Sequence, residues 1–297
     1  MPNAKLTSYL HLHFIVFIWG FTAILGELIT ITAVPLVGYR MSMATLFIGI
    51  YIWYKKISVR ISLQNGIKAC LGGILIALHW ITFFYAIKVS NVSITLAVLS
   101  SGAFFTALLE PLFYRRRLIG YEVLFGLLII LGIYIVFSAE KEQGEGIIFA
   151  LISAILSSLF ALLNGKLAKK MRSSVISLYE LGFGAIIITL LLAINFKFPF
   201  LNMGSYAEVL PRRLDWAYLF LLSSICTAYA FIVAVKVMKH ISPFTVMLTT
   251  NLEPVYGIIL ALLIFGESEK MTASFYYGAL LILSTVVING IVKNRKN

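Results

Sequence analysis

The chain has 297 residues, 61% of them hydrophobic and 12% charged, with mean hydropathy +0.98 and a formal charge of +12. A soluble domain is nearer half apolar and a quarter charged, so this composition excludes one and indicates an all-α integral membrane protein. The Lys and Arg residues punctuate apolar runs, which reads as membrane topology and not as nucleic-acid binding, and two cysteines inside apolar runs, Cys70 and Cys226, make neither a disulfide framework nor a metal site.

A helix needs about 20 apolar residues to cross the hydrocarbon core. Ten segments meet that length: 10–29, 34–54, 66–87, 92–114, 120–138, 146–166, 174–195, 216–236, 243–265 and 272–292. They are too long and continuous for barrel strands, and only the 196–215 connection is long.

The first segment follows Lys5 as a signal peptide would. It lacks a small-residue cleavage site and is long enough to span, so it is read as a membrane helix. Trp19 lies well inside it and offers an aromatic wall, and Glu27 ends it. The second segment carries Arg40. The third holds His79 and Trp80 in mid-span. A histidine there can bond a ligand or carry a proton, and the indole gives an apolar or cation-binding face. The bland alternative is a histidine bonded to a neighbouring helix. In the fourth, Glu110-Pro111 precedes Arg115–Arg117 and reads as a helix end and topology signal. The fifth and tenth have small residues without interior charge and read as peripheral scaffold.

The sixth segment shows Ser153, Ser157, Phe160 and Asn164 on one face. The seventh opens with Ser173, Ser177, Glu180 and Gly184 at the same kind of spacing. Small residues permit close helix packing, and packing is the expected role of most of these serines.

The ninth segment is the most informative. Thr245, Thr249, Glu253 and Tyr256, spaced 4, 4 and 3, fall on one face of a continuous helix. Asn251 falls about 160° from Glu253 and is expected to bond a neighbouring helix. A carboxylate at mid-span costs ~3 kcal/mol on insertion scales, so it needs a polar surrounding. Glu253 is read either as a ligand for substrate or proton, or as a structural carboxylate capping the helix that begins near Pro254.

Lys and Arg occur mainly in alternate connections, beginning with the N-terminus. The exceptions are Arg40, inside a segment, and Lys88, Lys141, Lys197, Arg212, Arg213 and Lys270 on the opposite side. Basic residues mark the cytoplasmic side, which places both termini there.

A faint internal repeat relates segments one to five to segments six to ten. At an offset of 151, Ile74, Ala77, Ile81, Lys88 and Leu112 meet Ile225, Ala228, Ile232, Lys239 and Leu263. Five is odd, so the halves, 9–138 and 146–292, must be inverted in the membrane, as in many secondary transporters. The repeat also pairs Glu27 and Arg40 at one turn with Lys166 and Glu180 at another, signs exchanged. These four are candidate gating or coupling residues, forming two ion pairs broken alternately. The competing reading is that all four snorkel to the interface.

Trp19-Gly20, Arg40 and FFYAIKVSNVS (83–93), followed by HISPFTVMLTTNLEPVYGIILALLIFGE (240–267), resemble the two domains of EamA transporters in the drug/metabolite transporter superfamily. The pattern departs from the family at Ala103, where proline is frequent, and at Arg115-Arg116, where Gly-Glu is usual. The resemblance implies ten helices in a 5+5 inverted repeat around a central cavity. It implies export of small organic solutes across a bacterial cytoplasmic membrane, by alternating access. The substrate-binding candidates are Trp19, His79, Trp80, Asn164, Thr249, Glu253 and Tyr256. No enzyme motif, metal site or cofactor is expected. The expected partners are a small-molecule substrate and the lipid bilayer, without nucleic acid; a homodimer stays open. An uncoupled facilitator is the near alternative, and a membrane-embedded enzyme acting on lipid-linked substrates the distant one.

Overall fold

A computed structural model describes residues 2–115, 120–197 and 209–296. The described residues form helices and short connections. In chain order the α-helices are α1 Pro2–Leu28, α2 Ala33–Tyr54, α3 Leu63–Val89, α4 Val92–Leu99, α5 Gly102–Tyr114, α6 Gly120–Ala139 and α7 Gly144–Leu167. They continue as α8 Ser173–Lys197, α9 Arg213–Ser223, α10 Ala230–Val237, α11 Pro243–Thr250, α12 Leu252–Phe265 and α13 Ala273–Lys296. A π-helical turn, Ser224–Tyr229, joins α9 to α10.

Among the described residues, eight stretches are long and apolar enough to cross a membrane, taking α4–α5, α9–α10 and α11–α12 as single broken spans. Two more, Leu124–Ala139 and Ala273–Ile288, are apolar over shorter described lengths. Arg116, Arg117 and most of the expected 196–215 loop lie outside the described residues.

Local chemistry sets several helix boundaries. Ser62, Asn91 and Ser242 each accept a backbone N–H from the first turn of the helix they precede, and Pro243 occupies the first helical position, where no donor is needed. The break between α11 and α12 follows from Pro254: without an N–H it leaves the carbonyl four residues earlier unpaired. The break between α4 and α5 falls at Ser100 and Ser101, where Ser100 Oγ donates to Ala97 O at 2.5 Å. Ser158 of α7 donates to the Gly102 carbonyl at the start of α5 at 2.7 Å, which ties α7 to the broken span. At the repeat offset of 151, Ser100 corresponds to Asn251, so both breaks fall on one rung of the repeat.

The broken spans pack on one another, α4 on α12 and α5 on α11. Around them α3 lies against α7 and α8, α1 against α10 and α12, and α2 against α8. The expected scaffold pair also meets: α6 packs on α13, where a Cβ on Gly278 would lie 2.9 Å from Gly132 O. Close backbone approach through small residues is the normal way helices associate in lipid, where hydrophobicity does not drive them together.

One end of the bundle is bonded across its connections. Asp215 accepts from Thr30 N at 2.9 Å and Thr30 Oγ1 at 2.7 Å, and Lys88 Nζ donates to Gly26 O and Ile29 O, at 3.2 and 2.8 Å. Glu269 receives the Val92 and Ser93 N–H groups at 3.0 and 2.9 Å, and Thr272 Oγ1 donates to Glu140 at 2.9 Å. The connections after α1, α3, α6 and α12 therefore meet the start of α9 at a shared end.

A candidate solute cavity

The cavity is built from α1, α2, α3, α7, α10 and the α4–α5 and α11–α12 spans. Its polar lining comprises Thr22, Arg40, His79, Ser100, Ser157, Thr250, Asn251 and Glu253. Its aromatic walls are Trp19, Trp80, Phe83, Phe160 and Phe231. About 110 Å³ is open to the centres of water-sized molecules, whereas one water needs only about 10–15 Å³ on that measure. The space thus admits several waters or a small organic solute.

Arg40 is the largest fully buried side chain. Its Nε donates to Thr227 Oγ1 at 2.7 Å, and its guanidinium carbon lies 3.7 Å from the centre of the Trp80 ring. Phe84 is a second, more distant ring at 5.5 Å. Nη1 is buried without a hydrogen-bond partner. A stacked guanidinium with an unused donor is a preformed receptor for a carboxylate or phosphate oxygen.

Glu253 lies in the first turn of α12 and is 7% exposed. It makes no hydrogen bond to another described residue, and α12 has no side-chain cap. The capping role considered from sequence is therefore absent, and the carboxylate faces the cavity with acceptors available. Arg40 and Glu253 place a guanidinium and a carboxyl group in one aromatic-walled space.

Trp19 Nε1 donates to Cys226 O at 3.1 Å, which fixes the indole plane against the π-turn. His79 Nδ1 lies 2.8 Å from Ser153 Oγ, and Ser153 Oγ is also 3.0 Å from His79 O. The histidine thus both lines the cavity and ties α3 to α7, joining the two readings that the sequence kept apart. Trp80 packs edge-on to Phe231 with centroids 5.9 Å apart.

Other candidates lie elsewhere. Thr249 donates to Thr245 O at 2.9 Å and does not line the cavity; Thr250 does. Asn251, expected on the opposite face, lines the cavity, and its Nδ2 has no partner. The cause is the break at Asn251: counting 100° per residue assumes an unbroken helix. Tyr256 packs edge-on to Phe17 at 5.4 Å, and its Cβ would sit 2.8 Å from a Cβ on Gly20. Gly20 therefore lets α12 approach α1. Asn164 is buried and donates to Glu180 Oε1 at 3.0 Å, between α7 and α8 and away from the cavity lining.

The expected ion pairs take other partners. Arg40 turns to Thr227 and Trp80, while Glu27 is exposed. Glu180 is buried with Asn164 beside the Gly72-Gly73 step of α3; a Cβ on Gly72 would strike its carboxylate. Lys166 lies exposed, 5.1 Å from the Phe113 ring. The acid that binds the α1–α2 turn is Asp215, which carried no signal in the sequence beyond its place at a helix start.

A crystal structure of another protein superposes with a TM-score of 0.69, covering 97% of this chain and 98% of its own. At 14% identity it shows the shared fold alone. No curated protein sequence matches the chain. A profile described as the EamA-like transporter family matches twice, over residues 7–138 and 144–291. Together with the apolar spans, these two matches cover nearly the whole sequence: the chain is a multi-pass membrane protein and belongs to the EamA-like transporter family.

Proposed function

We propose that this protein is a secondary transporter that moves a small organic metabolite out across the bacterial cytoplasmic membrane by alternating access. Its ten spans form a 5+5 inverted repeat, with the basic end in the cytoplasm. The observation that carries the reading is that Arg40, with an unpartnered Nη1, and Glu253 line one cavity walled by aromatic rings. That constellation suits a solute bearing both an anionic and a cationic group on an apolar body, as an amino-acid-like metabolite does. Nucleoside-like and drug-like solutes use the same aromatic walls and one of the two charges. The breaks at Ser100 and Asn251 support the inverted arrangement, because transporters characteristically expose unwound backbone beside the solute at the membrane midplane.

In this mechanism Arg40 orients the solute's anionic group, and Trp80 holds the guanidinium by stacking on it. Glu253 takes either the solute's cation or a proton, so that cargo and proton compete for one carboxylate. Glu180, buried beside Asn164, is a second proton-holding group between α7 and α8.

The experiment is transport in proteoliposomes, using the metabolite identified by comparing medium and cytosol with and without the protein. A pH gradient raises the rate if a proton is coupled; an unchanged rate leaves an uncoupled facilitator. Replacing Glu253→Gln retains shape and removes the charge. Its expected effect is a fall of roughly tenfold or more in transport with little change in melting temperature. Full transport in that variant removes Glu253 from the mechanism.

A further inference from the structure

A second cavity opens between α2, the start of α8 and the α9–α10 span, separate from the solute cavity. It offers about 910 Å³ to the centres of water-sized molecules, several times the solute cavity. Its long walls are apolar and aromatic, including Phe47, Tyr51, Phe220, Tyr229 and Ile232. At the basic end of the bundle it is closed by Lys55, Arg172, Lys236 and Lys239, all exposed. No carboxylate lines it.

We infer that this groove binds one anionic phospholipid of the cytoplasmic leaflet. Its phosphate would lie among the four cations and its acyl chains along the aromatic walls. Three observations favour this occupant. Four cations with no carboxylate among the lining residues attract an anion, and the pocket is too large and too apolar for a bare inorganic ion. The α2 wall from Phe47 to Lys55 rises about 12 Å, close to the ~15 Å hydrocarbon depth of one leaflet. Basic pockets between spans on the cytoplasmic side are also the usual form of an anionic headgroup site. Ser173, where α8 begins, lies in the same pocket, adding the favourable field of a helix start to the cationic cluster.

The groove is one backbone thickness from the solute cavity. Ser224, Ala228 and Tyr229 of the π-turn face the groove, while Cys226 and Thr227 of the same turn hold Trp19 and Arg40. Lipid binding itself does not depend on what the solute cavity carries.

The test is native mass spectrometry of the full chain in detergent, titrated with phosphatidylglycerol or with phosphatidylcholine of the same chains. Phosphatidylglycerol is expected to bind preferentially. Replacing Lys55, Arg172, Lys236 and Lys239 by Gln is expected to weaken that binding on the order of a hundredfold, since each cation contributes at an anionic headgroup. A control replaces Lys56, Arg60, Lys169 and Lys170, equally exposed cations outside the groove, and should bind as the wild type does. Equal loss in both variants, or loss in neither, overturns the site. Displacement of the lipid by inorganic phosphate at matching concentration would show a free-anion site and overturn the lipid. The wild-type preference between the two lipids, with the single Lys236→Gln change, decides the matter if a multiple variant does not fold.

Discussion

Arg40 shows how much one side chain's geometry carries in this protein. Its plane stacks on Trp80, its Nε is engaged by Thr227, and its Nη1 is buried without a partner. Lysine would keep the charge but lose both the plane and the fixed donor. Arg40→Lys is therefore expected to weaken solute binding about 10- to 100-fold, the range of a desolvated cation–π contact and one charged hydrogen bond. Thr227→Val, which removes the hydroxyl alone, should cost less; the two are compared by equilibrium binding in detergent. The charge of Arg40 was evident in the sequence as a cation inside a span, but its partners were not. Pairing it with Glu27 assumed that opposite charges across a short turn meet, whereas Asp215, distant in sequence, bonds that turn and Arg40 points inward. Thr249 and Thr250 teach the same lesson at one-residue resolution: helical counting identified a polar stripe, and the break at Asn251 moved the cavity-facing threonine by one.

Among the elements, the breaks differ in how they are encoded. Pro254 announces one in the sequence, because proline removes a helical donor. The break at Ser100–Ser101 contains no proline, and the bond from Ser100 Oγ back to Ala97 O that accompanies it is a contact no local pattern reveals. The π-turn is equally silent: Ser224–Tyr229 contains neither proline nor glycine, and its extra residue is stabilised by Thr227 Oγ1 donating to Leu222 O at 2.6 Å. The helix starts contain a further device. Glu269, 3% exposed, supplies both oxygens to the first N–H groups of α4 from a connection some 175 residues away. Since α4 has only eight residues before its break, it depends on that external cap more than a long helix would. Glu269→Ala is expected to destabilise the protein by about 2–3 kcal/mol, a loss of roughly 5 °C in melting temperature. Glu269→Gln, which retains one strong acceptor, should recover part of that loss. A cap working through charge and two acceptors orders the three proteins wild type, Gln, Ala; equal melting of all three would leave the bonds without energetic weight.

For the molecule as a whole, the connections define two chemically different ends. The end gathering the turns after α1, α3, α6 and α12 is held by carboxylates bonded to backbone and hydroxyl groups. The opposite end exposes Lys55, Lys56, Arg60, Lys169, Lys170, Arg172, Lys236 and Lys239 without a matching set of acids among the described side chains. Lys and Arg near short spans resist translocation, so the orientation follows from which end holds them and not from the fold. Single cysteines placed on a background lacking Cys70 and Cys226 test this directly in intact cells. Lys56→Cys should react with a membrane-impermeant maleimide only after the membrane is opened, whereas Glu267→Cys, exposed at the carboxylate-bonded end, should react in intact cells. The same pair also tests the number of crossings. In the ten-span arrangement residues 56 and 267 are separated by spans three to nine, and an odd number of crossings between them puts them on opposite sides. If both react from outside, or both only after opening, the count between them is even and the two halves cannot be inverted five-span repeats. Opposite labelling with Lys56 inside ties the charge bias, the odd-numbered repeat and the bonded connections to one topology.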